Sequence, residues 1–292
     1  MSQQFDPELH RQMGVEADVV LRVGMLLMGA GTSGYRVLRG MKRSARALGF
    51  DHLDATVGLT QITCTFHRGE YFRTVIARQH SPAVDASRIE ALEDLTHNRL
   101  YAGITAQELA AKLDVIEFGV KKRWSGLVLS FAAAIACAAF AYLNCFPLEA
   151  VGLVALAAFA GQFVRYTVLH RHVHQIGGVI AGGATASIVF FLLTEFFGAI
   201  GSVAPSELSS GVVAAVLFLI PGFPLFSALI DIARFDLDAG IVRLGYAFTV
   251  IFTATFTVSM VSWLTQLTPD PPAPAQDMKW FLLALVASFL GI

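Results

Sequence analysis

PGFPLFSALIDIARFDLDAGIVR, residues 221–243, is the stretch that decides how this chain is read. An apolar run, residues 211–220, precedes it and is about half of the ~20 residues that cross a bilayer as a helix. Pro221 and Pro224 remove backbone donors and are expected to stop or kink a helix, and Gly222 loosens the chain between them. Asp231, Arg234, Asp236 and Asp238 follow before apolar sequence resumes at Ile241. Broken backbone at membrane depth is tolerated only where protein buries it or it lines a wet cavity. Transporters build substrate and ion sites from such interrupted helices. A short span followed by a surface loop is the competing reading, and the stretch alone leaves both open.

The surrounding composition supports a membrane setting. Hydrophobic residues make up 55% of the chain and mean hydropathy is +0.62, too apolar for an ordinary soluble domain. Charge is uneven: residues 1–124 hold 16 of the 21 Lys and Arg and 14 of the 22 Asp and Glu. The expected organisation is a cytoplasmic α+β domain over residues 1–120 and a helical integral membrane domain over 121–267. A Pro-rich linker with a short apolar tail would occupy 268–292. The formal net charge of -1 argues against a nucleic-acid partner. Cys64, Cys137 and Cys145 have neither metal-type spacing nor a secreted disulfide pattern. The polar N-terminus has no signal-peptide core.

Helical spacing marks residues 12–28, GAGTSG at 29–34 breaks the run, and a second amphipathic helix covers 34–48. That helix carries an apolar stripe of Leu38, Met41, Ala45 and Leu48 and a basic one of Arg36, Arg39, Arg43 and Arg46. The basic stripe suits lipid headgroups, an anionic ligand or a partner, or is simply solvated. Two strands are expected at 57–66 and 71–79, joined by a His-Arg-Gly-Glu hairpin turn. Ser87-x-x-Glu90 and Thr105-x-x-Glu108 are capping-box patterns opening helices at 88–101 and 106–118. Spans are expected at about 125–145, 148–164, 176–200, 211–235 (broken) and 241–267. Lys121, Lys122 and Arg123, then Arg165 and Arg171, then Arg234 and Arg243 fall on one side. The other side, 144–149, 204–210 and 268–277, has no Lys or Arg, which places the N-terminal domain and the broken segment in the cytoplasm. The apolar tail 280–292 is too short to span.

Other motifs carry two readings each. GAGTSG matches a dinucleotide fingerprint, but a helix precedes it where a strand is required, so a helix–helix turn is the simpler account. His170 and His174 have zinc-compatible spacing on a helix, against a basic loop at a membrane boundary. Gly178 and Gly182 allow close helix packing. Thr185 and Ser187 beside them suit either a packed seam or a substrate passage. Glu195 lies inside a span, where an ionisable group is a functional candidate for carrying a proton, unless it snorkels to the interface. Asp231 is either a binder of protons or a substrate amine, or an ordinary partner for Arg234. No G-x-S-x-G, H-E-x-x-H or Walker pattern is present.

Three separated segments resemble the threonine/serine exporter family: GAGTSGYRVLRGMKRSARALGF, SRIEALEDLTHNRLYAGITAQELAAKLDVIE and PGFPLFSALIDIARFDLDAGIVRLGYA. The resemblance covers roughly residues 14–267. It singles out Gly31, Tyr35, Arg36, Pro221, Gly222, Pro224, Asp231 and Arg243, without giving any of them a chemical role. It implies secondary export of small molecules, threonine and serine first among them, driven by proton motive force in the bacterial inner membrane. Full-length members carry a second membrane half, so this chain resembles the split type, which works with a second membrane subunit or as a homo-oligomer. Some split relatives are associated with succinate, which leaves short dicarboxylates as the alternative substrate. A membrane-anchored hydrolase and a regulatory or assembly subunit are the remaining alternatives. No catalytic residue, cofactor or metal is expected; Asp231 and Glu195 are the expected coupling residues.

Overall fold

The computed structural model describes residues 7–79, 84–120, 124–171, 173–200 and 211–266. Along the chain run α1 (Pro7–Gly29), α2 (Gly34–Ala47), β1 (His52–Val57), β2 (Gln61–Arg68), β3 (Tyr71–Arg78), α3 (Ala86–Asn98) and α4 (Ala106–Gly119). Then come α5 (Gly126–Leu143), α6 (Leu148–His170), α7 (Gln175–Ala199), α8 (Gly211–Ala215), a 3-10 turn (Leu217–Leu219), α9 (Gly222–Ala233) and α10 (Leu237–Thr265). Contacts group the chain into two units: Met1–Arg123 with Pro221–Phe248, and Trp124–Ile220 with Thr249–Ile292. The expected basic cluster at 121–123, the outer connections at 204–210 and 268–277, the tail 280–292 and His172 lie outside the described residues.

The first unit is built on a conventional apolar core. Met13, Ala17, Val20 and Leu27 recur at helical spacing on α1 and are fully buried. They meet Val37 and Met41 of α2 and Ile62, Cys64 and Phe66 of β2 in one cluster. Each such Leu, Ile or Phe contributes about 1.5–3 kcal/mol on burial. Gly24 and Gly40 let the two helices close, because a side-chain carbon at Gly40 would lie 2.7 Å from Leu27 Cδ1. The sheet is antiparallel in the order β1-β2-β3, with Leu53 opposite Phe66 and Cys64 opposite Val75. Arg68 ties three elements together: it pairs with Glu16 of α1 at 2.6 Å, donates to Leu48 O at 2.7 Å, and stacks on Phe50. Arg22 bridges α1 to Asp114 and Glu117 of α4, and the Glu117 hydrogen bond leads in raising its pKa.

Three expectations need correcting here. The strand expected at 57–66 is the end of β1, a turn and most of β2; Gly58 N–H closes the turn on Gln61 O at 2.8 Å. Leu59 and Thr60 hide that turn by keeping a strand-like composition. β1 itself was missed because His52, Asp54 and Thr56 give its outward face a loop-like polarity. The N-cap of α3 is Asp85, whose carboxylate accepts from Arg88 N–H at 3.1 Å, so Ser87 already lies within the helix. The Thr105–Glu108 capping box on α4 is present as expected. GAGTSG is the turn between two helices, with Gly31 at φ 91°, and the element directly before it is the helix α1.

The second unit packs through small residues. Its core contains Cys137, Ala141, Ala150, Ala157, Ala158 and Phe190. A carbon added at Gly161 of α6 would lie 2.7 Å from both Gly182 O and Ala186 Cβ of α7, so these helices cross with backbones almost touching. Gly178 admits Leu169, and Gly183 admits Leu219. Among the described residues, four helices, α5, α6, α7 and α10, are long and apolar enough to cross a membrane. The count becomes five if the bent pair Gly211–Leu219 and Gly222–Ala233 is one span. Phe131, Ile135, Leu156 and Phe163 stay exposed on these helices, a surface suited to lipid or protein rather than water. His170 closes α6 while His174 caps α7 through its own ring nitrogen, so the two do not share a helix face.

Two measurements check these cores. Gly161→Leu should cost about 1–3 kcal/mol by overpacking and lower the melting temperature of detergent-solubilised protein. Gly152→Ala on the same helix, with no atom within 4 Å of its added carbon, should not. Burial pushes the Cys64 thiol up to about 12 from its ordinary 9.0. The raised value means the folded state favours the neutral thiol. That contribution is complete below the unfolded value and is lost as pH rises through 9.0 toward 12. Iodoacetamide at pH 8 should therefore label Cys64 only after denaturation.

Candidate functional site

The 221–243 stretch forms a tight helical corner rather than a helix followed by a loop. Ile220 is extended, as expected before proline, and Pro221 is the N-cap of α9. Pro224 falls in the first turn of α9, where its missing N–H has no intrahelical partner to lose. Pro221 thus ends the helical run that closes at Leu219, as expected, and both prolines fall at the start of the helix that follows. Phe235 at φ 61° turns the chain out of α9. Asp236 N–H donates to Asp231 O and Phe235 N–H to Ile232 O, both at 3.0 Å, closing a Schellman motif. Asp236 then faces the start of α10, with Oδ1 3.5 Å from Ala239 N. Gly240 allows the two helices to touch, since an added carbon would sit 2.6 Å from Ile232 Cγ1.

Asp231 is the centre of this corner. It is 0% exposed. Its Oδ2 pairs with Arg243 of α10, itself 4% exposed, and accepts the Gly34 N–H at 3.2 Å. Its Oδ1 has no hydrogen-bond partner among the described residues. The expected partner, Arg234, goes elsewhere: its guanidinium carbon lies 3.8 Å from the Tyr35 ring centroid. Arg243 wins because α10 returns toward α9 after the turn and brings its side chain inside. Arg234, the C-cap of α9, stays outside.

The α2 N-terminus completes the site. Ser33 is its N-cap but makes no capping bond, and the first turn holds no acidic residue. Asp231, 197 positions away, supplies the negative charge that a local cap would normally provide. Gly34 leaves little room at the contact: an added carbon would lie 3.2 Å from Asp236 Oδ2 and 3.3 Å from Ala239 Cβ, closer than ordinary packing. The sequence marks Asp236 and Arg39 only as members of a polar stretch and a basic stripe, and does not single out Gly34; the Arg39 guanidinium lies 5.6 Å from the Tyr35 ring centroid. The last glycine of GAGTSG, directly before the singled-out Tyr35, was the available signal. Gly31 shapes the turn, and Tyr35 and Arg36 are exposed on α2. Gly222 is exposed, and Pro221 and Pro224 are half-buried. Thr185 and Glu195 belong to α7 in the second unit; Thr185 is half-buried, and Glu195 is exposed with no ion pair among the described residues.

Removing one member of a buried ion pair strands the other, at a cost of about 3–5 kcal/mol. Asp231→Ala and Arg243→Ala should each lower thermal stability by that order. Asp231→Leu combined with Arg243→Met should recover much of it, which a melting series on the three variants checks.

The chain matches the model of the family described as "Putative threonine/serine exporter" over residues 18–265. It is 22% identical over 256 residues to a protein of Escherichia coli (strain K12) named "Probable succinate transporter subunit YjjP", covering 84% of this chain and 92% of that one. A protein of the same name from Klebsiella aerogenes is 21% identical over 225 residues, 76% of this chain and 83% of its own. No solved structure matches. These names describe a transporter subunit and not an enzyme. With the family model matched across both units and through the Asp231 corner, the chain belongs to the threonine/serine exporter family.

Proposed function

We propose that this chain is one subunit of a secondary exporter in the bacterial cytoplasmic membrane, with its N-terminal domain in the cytoplasm. The observation that carries the proposal is Asp231. It is a fully buried carboxylate at a bent helix pair, with one oxygen held by two donors and the other unengaged. A buried acid with one uncommitted oxygen can accept a further hydrogen bond from a substrate ammonium or hydroxyl without giving up Arg243 or Gly34. The subunit works with a second membrane polypeptide, a reading supported by the word "subunit" in the names of both relatives.

The family description supplies threonine and serine as substrates, and the relatives' names supply succinate. Both classes present a carboxylate. A small amino acid is the first reading and a short dicarboxylate the second, the latter favoured by relatives that align along most of this chain.

The test is efflux of labelled threonine and of labelled succinate from cells lacking other exporters. The chain is expressed alone and with a candidate second-half subunit. Efflux is expected from the pair, and the preferred label names the substrate. Asp231→Asn should lower the rate by about tenfold or more, an effect of about 1.4 kcal/mol on the barrier, with the protein still present in the membrane. Unchanged efflux by that variant would remove Asp231 from the coupling step.

A further inference from the structure

We propose that Arg234, Tyr35 and Arg36 form a binding site for the carboxylate of the exported molecule on the first unit; this rests on the exporter reading above. The first observation is a gathering of like charge. The guanidinium carbons of Arg234 and Arg39 lie 3.8 and 5.6 Å from the centroid of the same Tyr35 ring. Arg36 sits one turn before Arg39 on α2, where residues three apart are surface neighbours. Arg39 and Arg234 share one ring, and of the two only Arg39 is answered, by Glu93, so an anion beside Arg234 and the neighbouring Arg36 would relieve their repulsion.

The nearby acids are already committed. Asp231 answers Arg243 and the Gly34 N–H. Asp236 sits at the start of α10 and against Gly34. Glu93 holds Arg39 at 2.8 Å. Among the described residues, Arg36 and Arg234 have no carboxylate partner, and both are exposed. The second observation is the start of α2. Its N-cap Ser33 is 6% exposed yet makes no side-chain cap bond. Asp231 reaches only the Gly34 N–H among the first amides of this helix. The amides of Tyr35 and Arg36 lie in the same first turn, so the helix adds its positive end to the guanidinium groups.

The chemistry selects a small planar oxyanion. Arginine presents paired N–H donors that match a carboxylate, and Tyr35 holds one such fork flat by stacking. Asp231 and Asp236 beside Gly34 limit the negative charge the corner can accept, which favours one carboxylate over a polyanion. Succinate and threonine each offer one such group, so the site recognises what the two substrate classes share. A lipid headgroup phosphate offers related oxygens, and the test separates it.

The experiment measures binding of succinate and of threonine by calorimetry to the full chain in nanodiscs of neutral lipid. Binding is expected. Arg234→Gln and Arg36→Gln should each weaken it by about tenfold or more. Arg234→Lys should fall between, because the charge survives and the fork does not. Arg11→Gln, an exposed α1 arginine paired with Glu8, is the control and should bind as the unaltered chain does. A melting curve for each variant confirms folding, and both altered arginines are exposed, so their removal empties no core. Absence of binding by the unaltered chain, or equal binding by the Gln variants, overturns the proposal. Binding that vanishes in phosphatidylglycerol nanodiscs assigns the site to headgroup phosphate and also overturns it. Arginine-dependent binding without efflux of either label would sink the exporter reading while leaving the site intact.

Discussion

A carboxylate withdrawn from water costs several kcal/mol unless the protein answers its charge, and much of the first unit's geometry follows from answering Asp231. Arg243 reaches it only because α10 turns back along α9. That return needs the Schellman turn with Phe235 at φ 61° and the absence of a side chain at Gly240. Gly34 reaches it through its backbone N–H at the start of α2, where an added Cβ would fit tightly. Turn, glycine pair and ion pair therefore depend on one another. A change at any of them is felt at a buried charge rather than at a surface loop.

The two units are held together internally by different physics. The first buries Leu, Ile, Met and Phe between two helices and a three-stranded sheet, and the hydrophobic effect suffices. The helices of the second are apolar on most sides, and lipid is as good a neighbour for them as another helix. Close contact must then come from shape. Gly161 against Gly182 and an alanine-rich core supply it. The Gly178–Gly182 spacing is accounted for by this packing, with Leu169 and Gly161 as the neighbours.

Family membership places this chain among transporter proteins, and the corner brings residues of α2, α9 and α10 together. Asp231 and Arg243 are locked to each other inside, while Tyr35 and Arg234 meet outside. Glu195 shows neither kind of contact among the described residues, although its place in α7 made it an equal candidate in the sequence.

Periodicity, composition and charge asymmetry by themselves determined the helices of the membrane part, the amphipathic α1 and α2, the hairpin turn and the helix–helix nature of GAGTSG. These are local properties, set by which face of a short segment is apolar and by where glycine relieves the backbone. The pattern was weaker at β1, whose polar outward face imitates a loop, and at α9, where the prolines mark the break but not the helix that starts from it. Only the tertiary structure decided that Asp231 pairs with Arg243 rather than Arg234, and that it caps a helix 197 residues earlier in the chain. Nothing in the spacing of a charged residue says which side of a turn it will face. That choice is made by the crossing of α9 and α10 and by the room left at Gly34 and Gly240, and these exist only once the chain has folded back on itself.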